Sequence, residues 1–218
     1  MFLTKMPLNP ARRGARKLLA SPQSMHAAVL AGFPPDTSDK EGRALWRVDQ
    51  TEKHDVSLLI VSPREPDLTH LVEQAGWQTG QMWQTRSYTP LLERITAGQR
   101  WSFRLTANPV HNIRKEGWSD TKPVGHVTVK QQEQWLLDRA ERLGFSVPDG
   151  PETEAAFAVT SRNSLVFNKS GHRVTISTAT FDGVLDVVDP KVFVSTLVVG
   201  VGRAKAYGCG LLTIAPAG

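Results

Sequence analysis

The repeated order of strand and helix patterns is the feature that most constrains how this chain folds. The first half contains strand patterns at residues 2–8, 43–49 and 56–62, helix patterns at 22–31 and 66–76, and a weaker strand pattern between 77 and 88. In chain order these elements give β-α-β-β-α-β, and the same order starts again at residue 100. This order predicts an α+β fold with antiparallel sheets.

Local signals in the second half support the same order. Residues 100–106 alternate Trp, Phe and Leu with polar residues, as expected for a strand with one buried face. Asp189-Pro190 is typical of a helix start, and Gly200 of a helix end. We therefore predict helices at 129–143 and 190–199, strands at 157–167, 174–181, 184–188 and 211–214, and a tight hairpin turn at Asp182-Gly183.

Each unit predicts a ferredoxin-like (RRM-like) βαββαβ domain, in which two helices cover a four-stranded antiparallel sheet. At 218 residues the chain has room for one large core or two small ones, so its length does not decide between them. The pattern places a boundary near residues 90–98. We expect an N-terminal domain at residues 1–92 and a C-terminal domain at 98–218. Such a fold serves many functions and identifies none by itself.

The charge and cysteine content narrow the class of protein. The 26 Lys and Arg residues outnumber the 21 Asp and Glu residues, and the net charge of +5 favours a polyanionic partner. The single cysteine, Cys209, excludes an internal disulfide and a cysteine-based zinc site. No signal peptide is evident, and the most apolar later stretch, 192–201, is far shorter than the ~20 residues that cross a bilayer. We expect a cytoplasmic protein without membrane contact.

One histidine is placed where it could do chemistry. His26 lies on the first predicted helix, and Gln23 projects from nearly the same face three residues earlier. An imidazole at the edge of the buried face, with an ordinary pKa of about 6.5, can exchange a proton near neutral pH. A histidine on a helix is also common as a structural or surface residue, and that alternative stays open at this point.

A cluster of cations precedes that helix. Arg12, Arg13, Arg16 and Lys17 have no acidic residue between them, and we predict that they form a basic loop. Such a loop would stand before a helix N-terminus, where free backbone N–H groups favour an anion. These four residues are candidate phosphate contacts. The alternative is an ordinary solvated basic loop.

The glycine-rich segment at residues 200–210 is a second candidate phosphate site. It is neither a dinucleotide fingerprint, because Lys205 stands where the third glycine should be, nor a P-loop, because no Gly-Lys-Ser/Thr occurs. Gly200 and Gly202, with Arg203 and Lys205, would let a phosphodiester backbone approach main-chain N–H groups. A flexible connector is the alternative.

The remaining candidate contacts lie on a predicted hairpin. Lys169 and Arg173 flank a probable tip at Ser170-Gly171, and Arg162 belongs to the same group of possible contacts with a polyanion. An ordinary polar tip is the alternative for each of them. No H-E-x-x-H or other metal-ligand spacing and no G-x-S-x-G occurs. We expect no metal site and no small-molecule cofactor.

Several motifs at fixed places together resemble one known family. The chain opens with L-x-x-x-x-L-N-P-A-R-R at residues 3–13, carries S-P-Q-S-M-H at 21–26, and closes with G-V-G-x-x-K-A-x-G-x-G-L-L at 200–212. L-W-R at 45–47 and V-V-D-P at 187–190 extend the similarity over essentially the whole chain. The set resembles the CasE (also called Cse3) endoribonucleases of type I-E CRISPR systems, in the RAMP superfamily.

This resemblance implies tandem ferredoxin-like domains and an enzyme that binds the hairpin of a CRISPR repeat. It also implies cleavage of precursor CRISPR RNA into guide RNA, and retention in the Cascade complex with other Cascade subunits as partners. The family's helical histidine corresponds to His26, and its glycine-rich loop to residues 200–210. In the implied reaction the RNA 2′-OH attacks the adjacent phosphorus and leaves a cyclic phosphate and a 5′-hydroxyl, so neither metal nor cofactor is needed.

One position departs from the family pattern. Some relatives carry a catalytic tyrosine three residues before the histidine, and here that residue is Gln23. An amide cannot donate a proton as a phenol does, but it can orient a phosphate oxygen or the 2′-hydroxyl, so Gln23 is the second catalytic candidate. Two other functions stay open: a catalytically weak or inactive RNA-binding subunit, and an unrelated basic scaffold whose charges serve protein contacts.

Overall fold

The N-terminal half forms a four-stranded antiparallel sheet with helices. The computed structural model describes residues 1–35, 42–78, 80, 82–114, 121–150, 156–169 and 172–217. The N-terminal elements are β1 Phe2–Leu8, α1 Arg13–Ala20, α2 Pro22–Leu30, β2 Leu45–Gln50, β3 Val56–Ser62, α3 Thr69–Ala75, β4 Gln84–Ser87 and α4 Thr89–Leu92. The strands lie in the order β2-β3-β1-β4, and each neighbouring pair is antiparallel.

The C-terminal half forms a second antiparallel sheet. Its elements are β5 Arg100–Ala107, β6 Val110–Ile113, β7 Lys122–Gly125, α5 Val129–Ala140, β8 Phe145–Ser146, β9 Phe157–Lys169, β10 His172–Val187, α6 Pro190–Val199 and β11 Leu212–Pro216. β10 pairs with β5 on one side and with β9 and β8 on the other, and β11 pairs with the free edge of β5. The predicted mixture of helices and antiparallel sheets is confirmed.

The predicted turn at Asp182-Gly183 is wrong, because β10 runs through it without interruption. Gly183 pairs with Phe103 on β5 and with Phe157 on β9. A Cβ atom at Gly183 would lie 2.3 Å from the Cβ of Phe157. The glycine is therefore needed for the close approach of β9, and a strand glycine of this kind imitates a turn signal in the sequence.

The predicted basic loop is also wrong, because most of it is helix α1. Ala15 and Leu18 are 0% and 3% exposed and pack into the N-terminal core, while Arg13, Arg16 and Lys17 lie on the outer side of the helix. Buried positions three residues apart are the pattern of an amphipathic helix. In so short a segment two apolar positions are too few to reveal the period, so the arginines dominate the sequence pattern.

Some elements had no clear signal in the sequence. The antiparallel pair β6 and β7 is inserted between β5 and α5, and β8 is only two residues long. Residues 170 and 171, the predicted hairpin tip, lie outside the described residues, although β9 and β10 pair up to Lys169 and His172 on either side. Within the described part of the chain, no helix is both long and apolar enough to span a membrane.

Two buried clusters hold the layers together. One lies in the N-terminal half and includes Met6, Leu18 and Met25 from the sheet, α1 and α2. The other is built around the C-terminal sheet, α5 and α6, but it also contains Leu45 of β2 and Val61 of β3. The two halves therefore share apolar contacts across their junction.

A buried arginine makes a polar connection between the halves. Arg47 on β2 is 1% exposed, and its guanidinium donates to both carboxylate oxygens of Asp49, at 2.6 and 2.8 Å. It also donates to the carbonyl oxygens of Arg104 and Leu211 and to the hydroxyl of Thr213, each at 2.8 Å. A buried charge is tolerated only when it is paired and hydrogen-bonded, and here the partners come from both halves.

Arg47→Met is expected to lower the free energy of unfolding by about 3 to 5 kcal/mol, because it leaves the Asp49 carboxylate and two carbonyl groups without their donor. Urea unfolding followed by circular dichroism measures the change. Arg100→Met is the matched control, since Arg100 pairs with Asp186 at 2.7 Å but at the surface, and the midpoint should barely move. Equal midpoints for the two variants would contradict the structural role of Arg47.

Candidate active site

Helix α2 holds His26 at the edge of the N-terminal core. The hydroxyl of Ser21 accepts a hydrogen bond from the backbone N–H of Ser24 at 3.2 Å, and a proline occupies the first turn, so the helix start is well defined. Met25 and Val29 are 1% and 0% exposed and anchor the helix on the sheet. His26, next to Met25, is half-buried.

The ring of His26 is held by a tryptophan at the start of β2. The indole N–H of Trp46 donates to Nδ1 of His26 at 3.2 Å. The two ring planes are inclined by only 23°, and 6.5 Å separates the ring centroids. Trp46 is itself 3% exposed, so the hydrogen bond is made at the border between core and surface.

The glycine-rich loop packs against the same strand. A Cβ atom at Gly200 would lie 2.9 Å from the side chain of Leu45, and one at Gly208 would lie 2.8 Å from the ring of Trp46. The loop is closed by a hydrogen bond of 2.8 Å from the N–H of Val201 to the carbonyl of Gly210. These contacts make it a packed structure, which disfavours the alternative of a flexible connector.

Within this loop, Ala204 leads into a 3-10 turn at Lys205–Tyr207 that lies against α2. Ala204 has φ 63° and ψ 27°, the left-handed conformation. An L-residue with a side chain rarely adopts this conformation, at a cost of roughly 1 to 2 kcal/mol. This conformational strain lies at Ala204, directly before Lys205, where it determines the course of the backbone into the 3-10 turn.

His26, Arg43 and Lys205 line one cavity of about 450 Å³. They come from α2, the segment before β2 and the glycine-rich loop, which lie far apart in the sequence. The walls also contain apolar and small residues, namely Leu30, Phe33, Pro34, Pro35, Gly42, Ala44, Pro63 and Ala206. A cavity with this lining suits a compact anionic group next to an imidazole.

The cations of the cavity influence the charge of the imidazole. Burial, and then the charge of Arg43, lower the pKa of His26 below its ordinary value of 6.5. The same two causes in the same order lower the pKa of Lys205. Near pH 7 the imidazole is therefore mainly neutral, and an anion in the cavity would relieve the repulsion among the positive groups.

Two other residues of the N-terminal half that were predicted as site residues, Gln23 and Arg12, do not line the cavity of His26. Gln23 is exposed one turn before His26 and does not line the cavity described above. The guanidinium of Arg12 donates to the carbonyl oxygens of Val72 and Gly76 at 3.2 and 3.1 Å, and also to that of Glu73. Arg12 therefore satisfies the C-terminal end of α3, which is a structural role.

Most of the other cations predicted as contacts lie on exposed side chains. In α1, Arg13 and Lys17 are exposed, and the exposed side chain of Arg16 donates to the carbonyl of Ala11 at 2.7 Å. Arg203 is exposed in the glycine-rich loop. On the long ladder, Arg173 is exposed, Arg162 donates to the carbonyl of Val127, and the side chain of Lys169 lies outside the described residues.

The sequence patterns do not single out Arg43 or Trp46, which the structure places next to His26 and in contact with it. Trp46 lies within the L-W-R motif at residues 45–47, but a tryptophan in a strand pattern indicates only a buried position. Arg43 lies two residues before β2 and has no motif at all. Their roles depend on contacts between distant segments, which periodicity does not contain.

Thiol and metal chemistry would depend on the cysteine and on the metal-ligating side chains among the residues that the structure describes. Cys209 is fully buried, and burial raises the pKa of its thiol to about 12, so a reactive thiolate is disfavoured. Among the described residues, no three His, Cys, Asp or Glu side chains lie close enough together to hold a metal ion.

Arg43→Gln is expected to raise the pKa of His26, because it removes a nearby positive charge and leaves the ring buried. An NMR titration of the His26 ring protons measures the change, with His26→Ala used for assignment. Arg94→Gln, an exposed arginine outside the cavity lining, is the matched control and should leave the titration unchanged. If His26 titrates identically in the wild type and both arginine variants, the charge of Arg43 does not reach the ring.

Comparisons with known proteins show the family to which this chain belongs. A family model described as CRISPR associated protein matches residues 1–216. The CRISPR-associated endoribonuclease Cse3 of Thermus thermophilus is 33% identical over 223 residues, covering 99% of this chain and 100% of the relative. The CRISPR system Cascade subunit CasE of Escherichia coli is 31% identical over 130 residues, covering 56% of this chain and 61% of the relative.

A solved structure extends the agreement to three dimensions. It is described as Thermus thermophilus Cse3 bound to an RNA representing a pre-cleavage complex, and it superposes with a TM-score of 0.81 at 33% identity. The match covers 99% of this chain and 98% of that one. The resemblance inferred from the motifs is thereby confirmed, and this chain belongs to the family of CRISPR-associated proteins that includes Cse3 and CasE.

Proposed function

We propose that this chain is a metal-independent endoribonuclease that binds the hairpin of a CRISPR repeat and cleaves precursor CRISPR RNA into guide RNA. The observation that carries the proposal is the single cavity shared by His26, Arg43 and Lys205. The same activity is supported by a relative that is named an endoribonuclease and that matches this chain over its full length. A solved structure of that relative, bound to an RNA representing a pre-cleavage complex, supports it further. Because the substrate is a transcript, the site of action is the cytoplasm.

The proposed reaction is a transesterification within the RNA. The 2′-oxygen forms a bond to phosphorus and loses its proton, while the bond from phosphorus to the 5′-oxygen breaks and that oxygen gains a proton. The products are a 2′,3′-cyclic phosphate and a 5′-hydroxyl. Since the nucleophile belongs to the substrate, the protein has to supply only alignment, proton exchange and charge neutralisation, without metal or cofactor.

Each residue of the cavity has a part in this chemistry. His26 exchanges a proton or a hydrogen bond with a reacting oxygen. Its lowered pKa leaves the ring mainly uncharged near pH 7. Lys205 and Arg43 stabilise the negative charge that grows on the phosphoryl oxygens. Gln23 is the second candidate on α2, and its amide would orient a phosphate oxygen or the 2′-hydroxyl when RNA lies along the helix.

Surface cations would hold the rest of the RNA. Arg13, Arg16 and Lys17 form one exposed group on α1. The second group lies on the C-terminal half and consists of Arg162, Lys169, Arg173, Gly200, Gly202 and Arg203, the glycines contributing close approach to the backbone. Arg12 is left out of the proposed contacts because its donors are used at the end of α3.

The proposed architecture is a pair of ferredoxin-like domains at residues 1–92 and 98–218. In its support, the two sheets share one order: β2-β3-β1-β4 in the first, and β9-β10-β5-β11 in the second. In both, the central strands are the first and third of the unit. The catalytic cavity then lies where α2 of the N-terminal domain meets the glycine-rich loop of the C-terminal one.

Retention in Cascade follows from the second relative, which is named a Cascade subunit. An enzyme that keeps its cleaved RNA would present the guide to the other subunits.

The alternative is a catalytically weak or inactive RNA-binding subunit, which the glutamine at position 23 favours. The two functions differ in one measurable respect, since a pure binder shifts a repeat hairpin in a gel without shortening it.

His26→Ala is expected to lower the cleavage rate of a labelled repeat hairpin by about 100-fold or more, while RNA affinity stays within about twofold. EDTA should not change the wild-type rate, and mapping of the products should show a cyclic phosphate. His54→Ala, which replaces an exposed histidine in the turn between β2 and β3, is the matched control and should cut normally. Undiminished cutting by His26→Ala, or loss of cutting in EDTA, would reject the proposal.

The double substitution Arg13→Gln with Lys17→Gln tests the RNA contacts of α1. If both side chains touch phosphate, the slope of log affinity against log salt should fall by about 1.5, since each contact contributes about 0.7 to 0.9. Filter binding at several salt concentrations measures the slope. Lys53→Gln, beyond the far end of β2, is the control, and a slope equal to that of the control would remove α1 from the RNA surface.

A further inference from the structure

The hydrogen bond between Trp46 and His26 fixes the position of a proton. An indole N–H can only donate, so Nδ1 of His26 must accept, and it does so at 3.2 Å. A ring nitrogen that accepts a hydrogen bond carries no proton. In the neutral imidazole the proton is therefore on Nε2.

We propose that Trp46 is a positioning residue for RNA cleavage, which keeps His26 in the tautomer that has Nδ1 free of a proton and Nε2 protonated. The proposal rests on the function proposed above for His26. It adds a specific assignment, because it says which ring nitrogen meets the reacting oxygens and in which state. Trp46 itself does not touch the RNA in this scheme.

The position of Trp46 supports this assignment. Trp46 lines a second, larger cavity of about 730 Å³, together with Met25 and Gly208, whereas His26 lines the cavity that contains Lys205 and does not border the larger one. The indole therefore separates the imidazole from the larger cavity. Nδ1 faces the indole, and Nε2 is the nitrogen left to face the cavity with the cations.

The indole is held firmly enough to act as a fixed donor. It is 3% exposed, and its ring lies directly against the backbone of Gly208, where a Cβ atom would approach to 2.8 Å. Gly208 has φ 79°, so a side chain there would be strained as well as crowded. The glycine-rich loop thus packs against the indole, and the indole holds the imidazole. The loop therefore helps to set the orientation of His26.

This arrangement also opposes the charged form of the ring. An imidazolium has an N–H on both nitrogens, so the donor of Trp46 would face another donor. The charged groups that face His26 from the neighbouring elements, Arg43 before β2 and Lys205 in the glycine-rich loop, are both cations, and Gln23 on its own helix is neutral. The ring therefore meets the RNA neutral, as a hydrogen-bond donor through Nε2 to the charge that develops on the phosphate or leaving oxygen.

Trp46→Phe removes the donor and keeps most of the ring. Long-range proton–nitrogen NMR spectra should show the Nε2-protonated tautomer of His26 in the wild type, and an added Nδ1-protonated population in the variant. The pKa of His26 should rise by roughly half to one pH unit, the effect of one hydrogen bond to the neutral form. The acidic limb of the pH–rate profile should move to higher pH by the same amount, with kcat lowered about fivefold to tenfold and KM nearly unchanged.

Trp101→Phe is the matched control, because the indole nitrogen of Trp101 is buried without a hydrogen-bond partner among the described residues. It should leave the tautomer, the pKa and the pH profile of His26 as in the wild type. Gly208→Ala approaches the same hydrogen bond from the other side of the indole and should shift the tautomer in the same direction as Trp46→Phe.

A wild-type spectrum with His26 protonated on Nδ1 would overturn the proposal without any variant. So would a folded Trp46→Phe protein whose His26 keeps its tautomer and pKa, even if cleavage is slower, because the effect would then be structural only. Normal cleavage by His26→Ala would instead reject the proposed function while leaving the tautomer measurement intact. The two proposals therefore fail in distinguishable ways.

Discussion

The geometry of the cavity depends on the hydrogen bonds that the guanidinium of Arg47 makes to both halves of the chain. The guanidinium reaches from β2 to β5 and to the residues at the start of β11, which directly follow the glycine-rich loop. Its planar set of donors can satisfy a carboxylate and several carbonyl groups at once, which a lysine could not do. Because this connection fixes where the loop ends, it also fixes where Lys205 lies relative to α2. The cavity around His26 is thus a consequence of how the two halves are joined.

The same residue type serves different purposes within a short distance of sequence. Arg12 closes the end of α3, whereas its neighbour Arg13 is exposed on α1. Arg47 is buried, and Arg43, four residues earlier, lines the cavity. A net charge of +5 therefore says little about which cations meet an anion. The field that a ligand meets is set by the cations left over after the structural ones are paired.

Much of the fold could be predicted because it is written in local patterns. The alternation of strands and helices along the chain, the helices that start at Ser21-Pro22 and Asp189-Pro190, and the edge position of His26 all follow from caps and periodicity. Helix α1 is missed because its apolar pattern is too short, whereas two other failures share a different physical cause. Gly183 is explained by contact with Phe157, and Trp46 by contact with Gly208, and neither contact is local. Signals that depend on which segments meet cannot be read from the segments separately.

The left-handed conformation of Ala204 has a consequence for the entropy of binding. A glycine at this position would adopt the same backbone conformation without strain, but it would also adopt many others. The alanine restricts the backbone between Arg203 and Lys205 to few conformations, so less backbone freedom is left to be lost when a ligand arrives. A mild conformational strain in the free protein is thus exchanged for a smaller entropy loss on association, which is the thermodynamic form of preorganisation.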